Sequence, residues 1–137
     1  DLFQGGPEIP FYVATQEFFF DVYSHTTENG IVMMNVIGSP DNKGTEELVY
    51  AISDTLSLMF PSIYLFSMDG NTIVIATKNK TEIDYLKKQL EEVENPELKK
   101  FAEKMRVRIV KYVPKNNILT DDKSNIEIMT YRILEKL

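Results

Sequence analysis

Gly30-Ile31-Val32-Met33-Met34-Asn35-Val36-Ile37-Gly38 is the stretch on which the fold turns. It is an apolar run broken only by Asn35, the pattern of a strand covered on both faces and therefore of a central strand in an α/β sheet. Working outward, Phe18, Phe19, Val22 and Tyr23 recur at helical spacing after Thr15, a suitable N-cap, with Glu17 in the first turn. This predicts a helix ending near His25, stopped by Asn29-Gly30. On the other side, Gly38-Ser39-Pro40-Asp41 punctuates a loop, and from Thr45 the residues Leu48, Val49, Ile52, Leu56 and Met59 repeat with a period near 3.6. Pro61 closes that second helix. Two β-rich runs, 63–68 and 72–77, are joined by Asp69-Gly70-Asn71, a compact hairpin signal. Thr81 is placed to cap a third helix reaching about Val93, and Pro96 to start a fourth. Residues 106–112 alternate like a short strand or extended segment, and 126–137 read as a last helix.

Helix, buried strand, helix and antiparallel hairpin, in that order, describe how one common class of doubly wound sheet ends. The expected fold class is therefore α/β, with a parallel strand followed by a terminal hairpin and flanked by helices. A strand buried on both faces needs a neighbour on its open side. The first parallel strands are expected upstream, each βαβ unit taking about 30 residues. In such sheets the ligand lies beyond the carboxyl ends of the strands, and Asp1 would lie there.

Bulk composition limits the function classes. With 137 residues and 43% hydrophobic content the chain suits one domain, residues 1–137, with its own core. Fifteen basic against 21 acidic residues give a net charge of −6, which argues against a surface that neutralises nucleic-acid phosphates. Cys is absent, so disulfides, a thiol nucleophile and thiolate metal sites are excluded, and one histidine, His25, cannot build a His-rich zinc site. The apolar runs are far shorter than the roughly 20 residues of a membrane-spanning helix, and no basic flank leads into an apolar signal segment. A soluble, cytoplasmic chain is expected.

Three stretches carry a resemblance. DLFQGGPEIPFYVATQEFFF at 1–20, GIVMMNVIG at 30–38 and LTDDKSNIE at 119–127 resemble the second half of spermidine synthase-like proteins, polyamine aminopropyltransferases on the class I S-adenosylmethionine-dependent methyltransferase fold. The likeness is specific at the two ends of the chain and generic between them. It implies the C-terminal half of a Rossmann-like domain, with the cofactor-binding N-terminal half supplied from elsewhere. In that family a strand ends in an Asp opening an Asp-x-x-Asp-Pro loop, and Asp1 matches the first acid, which assists deprotonation of the attacking amine. A carboxylate beside an amine can accept its proton as nitrogen attacks the aminopropyl carbon next to a sulfonium. The resemblance also makes Asp1 and Pro10 cofactor contacts, with S-adenosylmethionine, its decarboxylated form or methylthioadenosine bound by the complete protein and none of them by this chain alone. The implied partners are the missing N-terminal half or a second chain, a homo-oligomer, and a polyamine or other amine substrate.

The departures matter as much. Gln4 stands where the family has its second, substrate-binding acid, and Gly5 where it has Pro. A neutral amide lacks the charge-assisted hold of a carboxylate on a cationic amine, which leaves methyl transfer, or another S-adenosylmethionine-dependent reaction, as the alternative. Lys123-Ser124-Asn125 replace the Tyr-Ala-Pro that follows Leu-Thr-Asp-Asp in one branch of the family, a branch whose members include proteins fused to membrane-spanning segments. A non-catalytic module that dimerises through an exposed sheet edge or through its aromatic helix is a third reading. Other readings stay open residue by residue. Asp1 also reads as a solvated chain end, Gly5-Gly6-Pro7 as a plain turn, and Leu2-Phe3-Gln4-Gly5 as part of a viral-protease tag site. Asp121, Asp122 and Glu127 fit no calcium loop, and an N-capping Asp before the last helix accounts for them better than a metal. His25 suits a helix C-terminus, the three phenylalanines from Phe18 a core, and Asn35 a hydrogen bond within the sheet.

Overall fold

The structure is a computed structural model that describes residues 13–122 and 125–136. Asp1, Gln4 and Pro10, with the Gly5-Gly6-Pro7 turn, lie outside the described residues. The chain is mixed α/β: α1 (Gln16–His25), β1 (Ile31–Ile37), α2 (Glu46–Ser57), β2 (Ser62–Ser67), β3 (Asn71–Thr77), α3 (Ile83–Glu91), α4 (Pro96–Arg108), β4 (Val110–Lys111) and α5 (Ile126–Leu134). The strands form a four-stranded sheet in the order β1-β3-β2-β4. Every pairing between neighbours is antiparallel. Because β1 and β2 each run antiparallel to β3 between them, they point in the same direction without touching.

Alternate residues of the strands feed two cores. On one face Val36, Ile63, Leu65, Val74 and Ala76 pack with Phe19 of α1, Leu48, Ile52 and Leu56 of α2, and Ile126 and Ile133 of α5. On the other, Tyr64, Phe66 and Ile75 pack with Met105 of α4 and Ile109, and with Leu86 and Leu90 of α3. Helices therefore cover both faces. No helix among the described residues is long and apolar enough to cross a membrane.

β1 departs from its sequence reading. Among the described residues it stands at the edge of the sheet and pairs, antiparallel, with β3 alone. Ile31 and Met33 are 58% and 56% exposed. The uncharged run had implied cover on both faces, but the second core draws its sheet residues from β2 and β3 only. An open apolar groove of about 270 Å³, lined by Ile31, Met33, Ile75, Leu86 and Leu90 among others, remains beside it.

Smaller differences have local causes. Residues 106–108 are helical because Ala102 and Met105 of α4 and its C-cap Ile109 recur at helical spacing and are buried, in a helix started by Pro96 and capped by the Asn95 side chain, so the extended segment shrinks to β4. Thr81 does not cap α3; its carbonyl accepts the hydroxyls of Ser62 and Tyr64, tying the loop to β2. Asp121 and Asp122 form a turn, but the N-cap of α5 is Asn125. Thr15 caps α1 as expected, accepting from the Phe18 amide. Of Phe18, Phe19 and Phe20, only Phe19 is buried; Phe18 is half-buried and Phe20 exposed. Asn35 accepts from Asn71 Nδ2 at 3.0 Å across the sheet.

Candidate functional site

Two stretches far apart in sequence meet at the start of α1. The Gln16 amide donates to the Leu119 carbonyl at 2.8 Å, and the Asp121 amide donates to Glu17 Oε2 at 3.1 Å. Val13, Ala14 and Thr15, which lead into α1, are buried, as is Leu119. The Leu119-Thr120-Asp121-Asp122 segment is thus joined to the helix that follows the Asp1, Gln4 and Pro10 stretch in sequence.

The residue that holds this junction was not singled out by sequence. Asp54 lies within α2, wholly buried, with Ile52 and Leu56 as core neighbours. Its Oδ1 accepts the Tyr112 hydroxyl at 2.9 Å and the Lys115 amide at 2.7 Å, and its Oδ2 accepts the Asn117 amide at 2.7 Å. Thr55 adds an acceptor for the Leu119 amide at 3.0 Å while donating to Ala51. Burial, reinforced by the hydrogen bond and charge of Asp54, pushes the Tyr112 phenol well above its ordinary range. Tyr112 stays protonated and donates. The ammonium of Lys115 lies 3.3 Å from the centre of the Tyr50 ring, which stacks on Tyr112 with centroids 6.0 Å apart. With two donors on Oδ1 and one on Oδ2, Asp54 serves as an internal acceptor that holds the segment. A lone Asp in a helix ordinarily faces water, and the only sequence signal was its place among Ala51, Ile52, Thr55 and Leu56.

A separate cleft of about 420 Å³ opens beyond the carboxyl ends of β1 and β2, where Gly38 and Met68 leave the sheet. Asp41, Asn42, Asp69 and Arg108 line it. Gly38 adopts φ +111°, and an added Cβ would meet the Thr45 carbonyl oxygen at 2.1 Å, so the cleft floor requires glycine. Ser39 and Thr45 satisfy one another there: the Ser39 amide donates to Thr45 Oγ at 3.2 Å. Asp121 and Asp122 are exposed, and among the described residues no group of His, Cys, Asp and Glu is arranged to hold a metal. His25 is exposed at the end of α1, with Nδ1 2.8 Å from the Asp21 carbonyl. No family model matches the chain, and neither a curated protein nor a solved structure matches it.

Proposed function

We propose that this chain is the C-terminal part of a spermidine synthase-like protein whose complete form transfers an aminopropyl group from decarboxylated S-adenosylmethionine to an amine. The edge of β1 that no described strand pairs with carries the proposal. Since α1 and α2 share the first core, they lie on one face of the sheet. α2 carries the chain from β1 to β2, which run in the same direction, and such crossovers keep one hand. A crossover of the same hand through α1 brings a preceding parallel strand to the other side of β1. That side is the free one among the described residues. Continued in this way, the sheet has the doubly wound form that the resemblance implies, with Asp1 at the carboxyl end of the added strand, where ligands of such sheets bind.

The chemistry follows from that placement. The amine nitrogen attacks the aminopropyl carbon, the carbon–sulfur bond breaks, methylthioadenosine leaves as a neutral thioether, and Asp1 takes the proton shed by the nitrogen. Gln4 in place of an acid points to an acceptor amine held by fewer charges than a polyamine in the family's usual pocket, and the same substitution favours methyl transfer as the second reading.

The test is turnover by the chain joined to, or co-expressed with, its upstream half. Decarboxylated S-adenosylmethionine and a panel of amines are supplied, and products are identified by mass. Aminopropylated amine plus methylthioadenosine, lost in Asp1→Asn, is the expected result. Methylated product from S-adenosylmethionine would replace the first reading with the second, and no transfer from either donor would remove both.

A further inference from the structure

We propose that α4 and β4 form a surface that docks on an anionic lipid bilayer. Residues 99–111 hold six of the chain's 15 basic residues, Lys99, Lys100, Lys104, Arg106, Arg108 and Lys111, against one acid, Glu103. Six cations and one acid make the stretch +5 and leave −11 for the rest of a chain of net charge −6, so charge is strongly polarised across it. Among the described residues none of the six cations is in an ion pair or donates a side-chain hydrogen bond. All are exposed except the half-buried Arg106. Helix stability does not account for them. Arg106 and Arg108 in the last turn of α4 suit the helix dipole, but Lys99, Lys100 and Lys104 lie nearer its start or middle and gain nothing from it, and Lys111 lies beyond its end.

Apolar side chains stand among these cations where a merely solvated face would be polar. Lys100, Lys104 and Val107 recur at i, i+4 and i+7 on the side of α4 opposite the buried Ala102 and Met105, with Phe101 and Arg108 at their flank. Val107 is 75% exposed, and beyond the helix Val110 and Val113 are exposed too. Such a ridge matches a bilayer interface, whose phosphates take the ammonium and guanidinium groups while the aliphatic side chains enter the acyl boundary. Thirteen residues long and charged along its length, α4 would lie on that interface and not across it. Nucleic acid would use the cations but gain little from valines, since bases stack on aromatic rings, and Phe101 is already set edge-on against Phe66. A two-fold pairing of the surface with itself would oppose like charges. Position favours access. β4 is at the opposite end of the sheet from β1, and α4 packs on β2 and α3, so a strand added at β1 does not reach the surface. Its boundary is the cleft that Arg108 and Val110 line, where Asp41 and Asp69 begin.

Co-sedimentation of the chain with lipid vesicles at physiological ionic strength tests the proposal. Vesicles of phosphatidylcholine with about 30% phosphatidylserine are expected to carry the chain down, and vesicles of phosphatidylcholine alone to leave it in solution. Lys100→Gln/Lys104→Gln is expected to weaken partitioning about 20-fold or more, at roughly fivefold for each cation near the surface. Lys43→Gln/Lys80→Gln, which removes the same charge from exposed sites elsewhere, should change it by less than about threefold. Val107→Ser should lower it by about threefold or more and leave the remainder more sensitive to salt. The side chains replaced are exposed, so the urea midpoint of each variant should match that of the parent. No binding to the anionic vesicles, equal loss in the two double variants, or indifference to Val107→Ser overturns the proposal. Tighter binding to a poly-uridine RNA than to the vesicles, lost in Lys100→Gln/Lys104→Gln, would overturn it as well and assign the surface to nucleic acid. None of these outcomes bears on the transfer reaction proposed above.

Discussion

Gly38→Ala isolates the geometry by which β1 turns into the cleft. The Gly38 amide donates to the Gly70 carbonyl at 2.8 Å, its carbonyl accepts Thr72 Oγ at 2.8 Å, and its φ is +111°. An added Cβ would lie 2.1 Å from the carbonyl oxygen of Thr45, the residue before α2. Gly70 supplies the control, with φ +83° and nothing within 4 Å of an added Cβ. Gly70→Ala therefore carries the backbone strain alone, about 1–2 kcal/mol. Gly38→Ala carries comparable strain and must also move away from Thr45, breaking one or both anchoring hydrogen bonds at about 1 kcal/mol each. The expected totals are about 1–2 kcal/mol for Gly70→Ala and about 3 kcal/mol or more for Gly38→Ala. Urea unfolding followed by circular dichroism measures both. A midpoint for Gly38→Ala equal to or above that of Gly70→Ala, at unchanged m, refutes the reasoning.

Tyr112→Phe removes one donor to Asp54 and leaves the two amides, a loss of about 1–2 kcal/mol at neutral pH by urea unfolding. Since the folded phenol titrates above its unfolded value of about 10, its stabilisation is present below about pH 10 and falls as pH rises beyond it, so Tyr112→Phe should flatten the alkaline limb of the stability profile. Asn95→Ala deletes the acceptor of the Glu97 and Leu98 amides at the start of α4 and is expected to lower stability by about 1 kcal/mol, whereas an unchanged unfolding midpoint would discount the cap. Met33→Lys, at an exposed site of this chain, should change its stability by less than about 0.5 kcal/mol yet weaken association with an upstream half in a pull-down. Unchanged capture would show that the groove beside β1 is not where that half docks.

Elements with strong periodicity and unambiguous punctuation were legible in the sequence. α1 with its Thr15 cap, α2, the hairpin of β2 and β3, and the Pro96 start of α4 lie where residue spacing put them. The misreadings arose where a tertiary partner overrode a local signal. Thr81 offered a cap, but its carbonyl is engaged by Ser62 and Tyr64, and residues 106–112 alternated like a strand while burial of Ala102, Met105 and the C-cap Ile109 carries the helix to Arg108. Asp54 was invisible because its three partners lie between 58 and 63 residues further along the chain. No local pattern encodes a contact of that range. The meeting of Leu119 with Gln16 was hidden for the same reason, although both segments had been singled out for the chemistry they resemble.

The conflict at β1 is itself informative. Edge strands in soluble sheets are commonly protected by Lys, Pro or a bulge. Ile-Val-Met-Met-Asn-Val-Ile has no charge and no proline, and its seven residues pair with β3 in unbroken register, so no bulge twists it away. Among the described residues no strand pairs with its outer edge, and Ile31 and Met33 are exposed, in a chain of net charge −6 with acidic residues enough to guard them. A strand composed for cover on both faces yet standing at an edge is a local and global inconsistency, and such inconsistencies mark sites of function or of assembly. The parallel strand proposed ahead of α1 removes it from one side by supplying the missing ladder. On the exposed face of β1, the apolar groove beside α3 provides a continuous surface for whatever element accompanies that strand. The same feature that upset the sequence reading of β1 is therefore the one that supports placing it next to another strand.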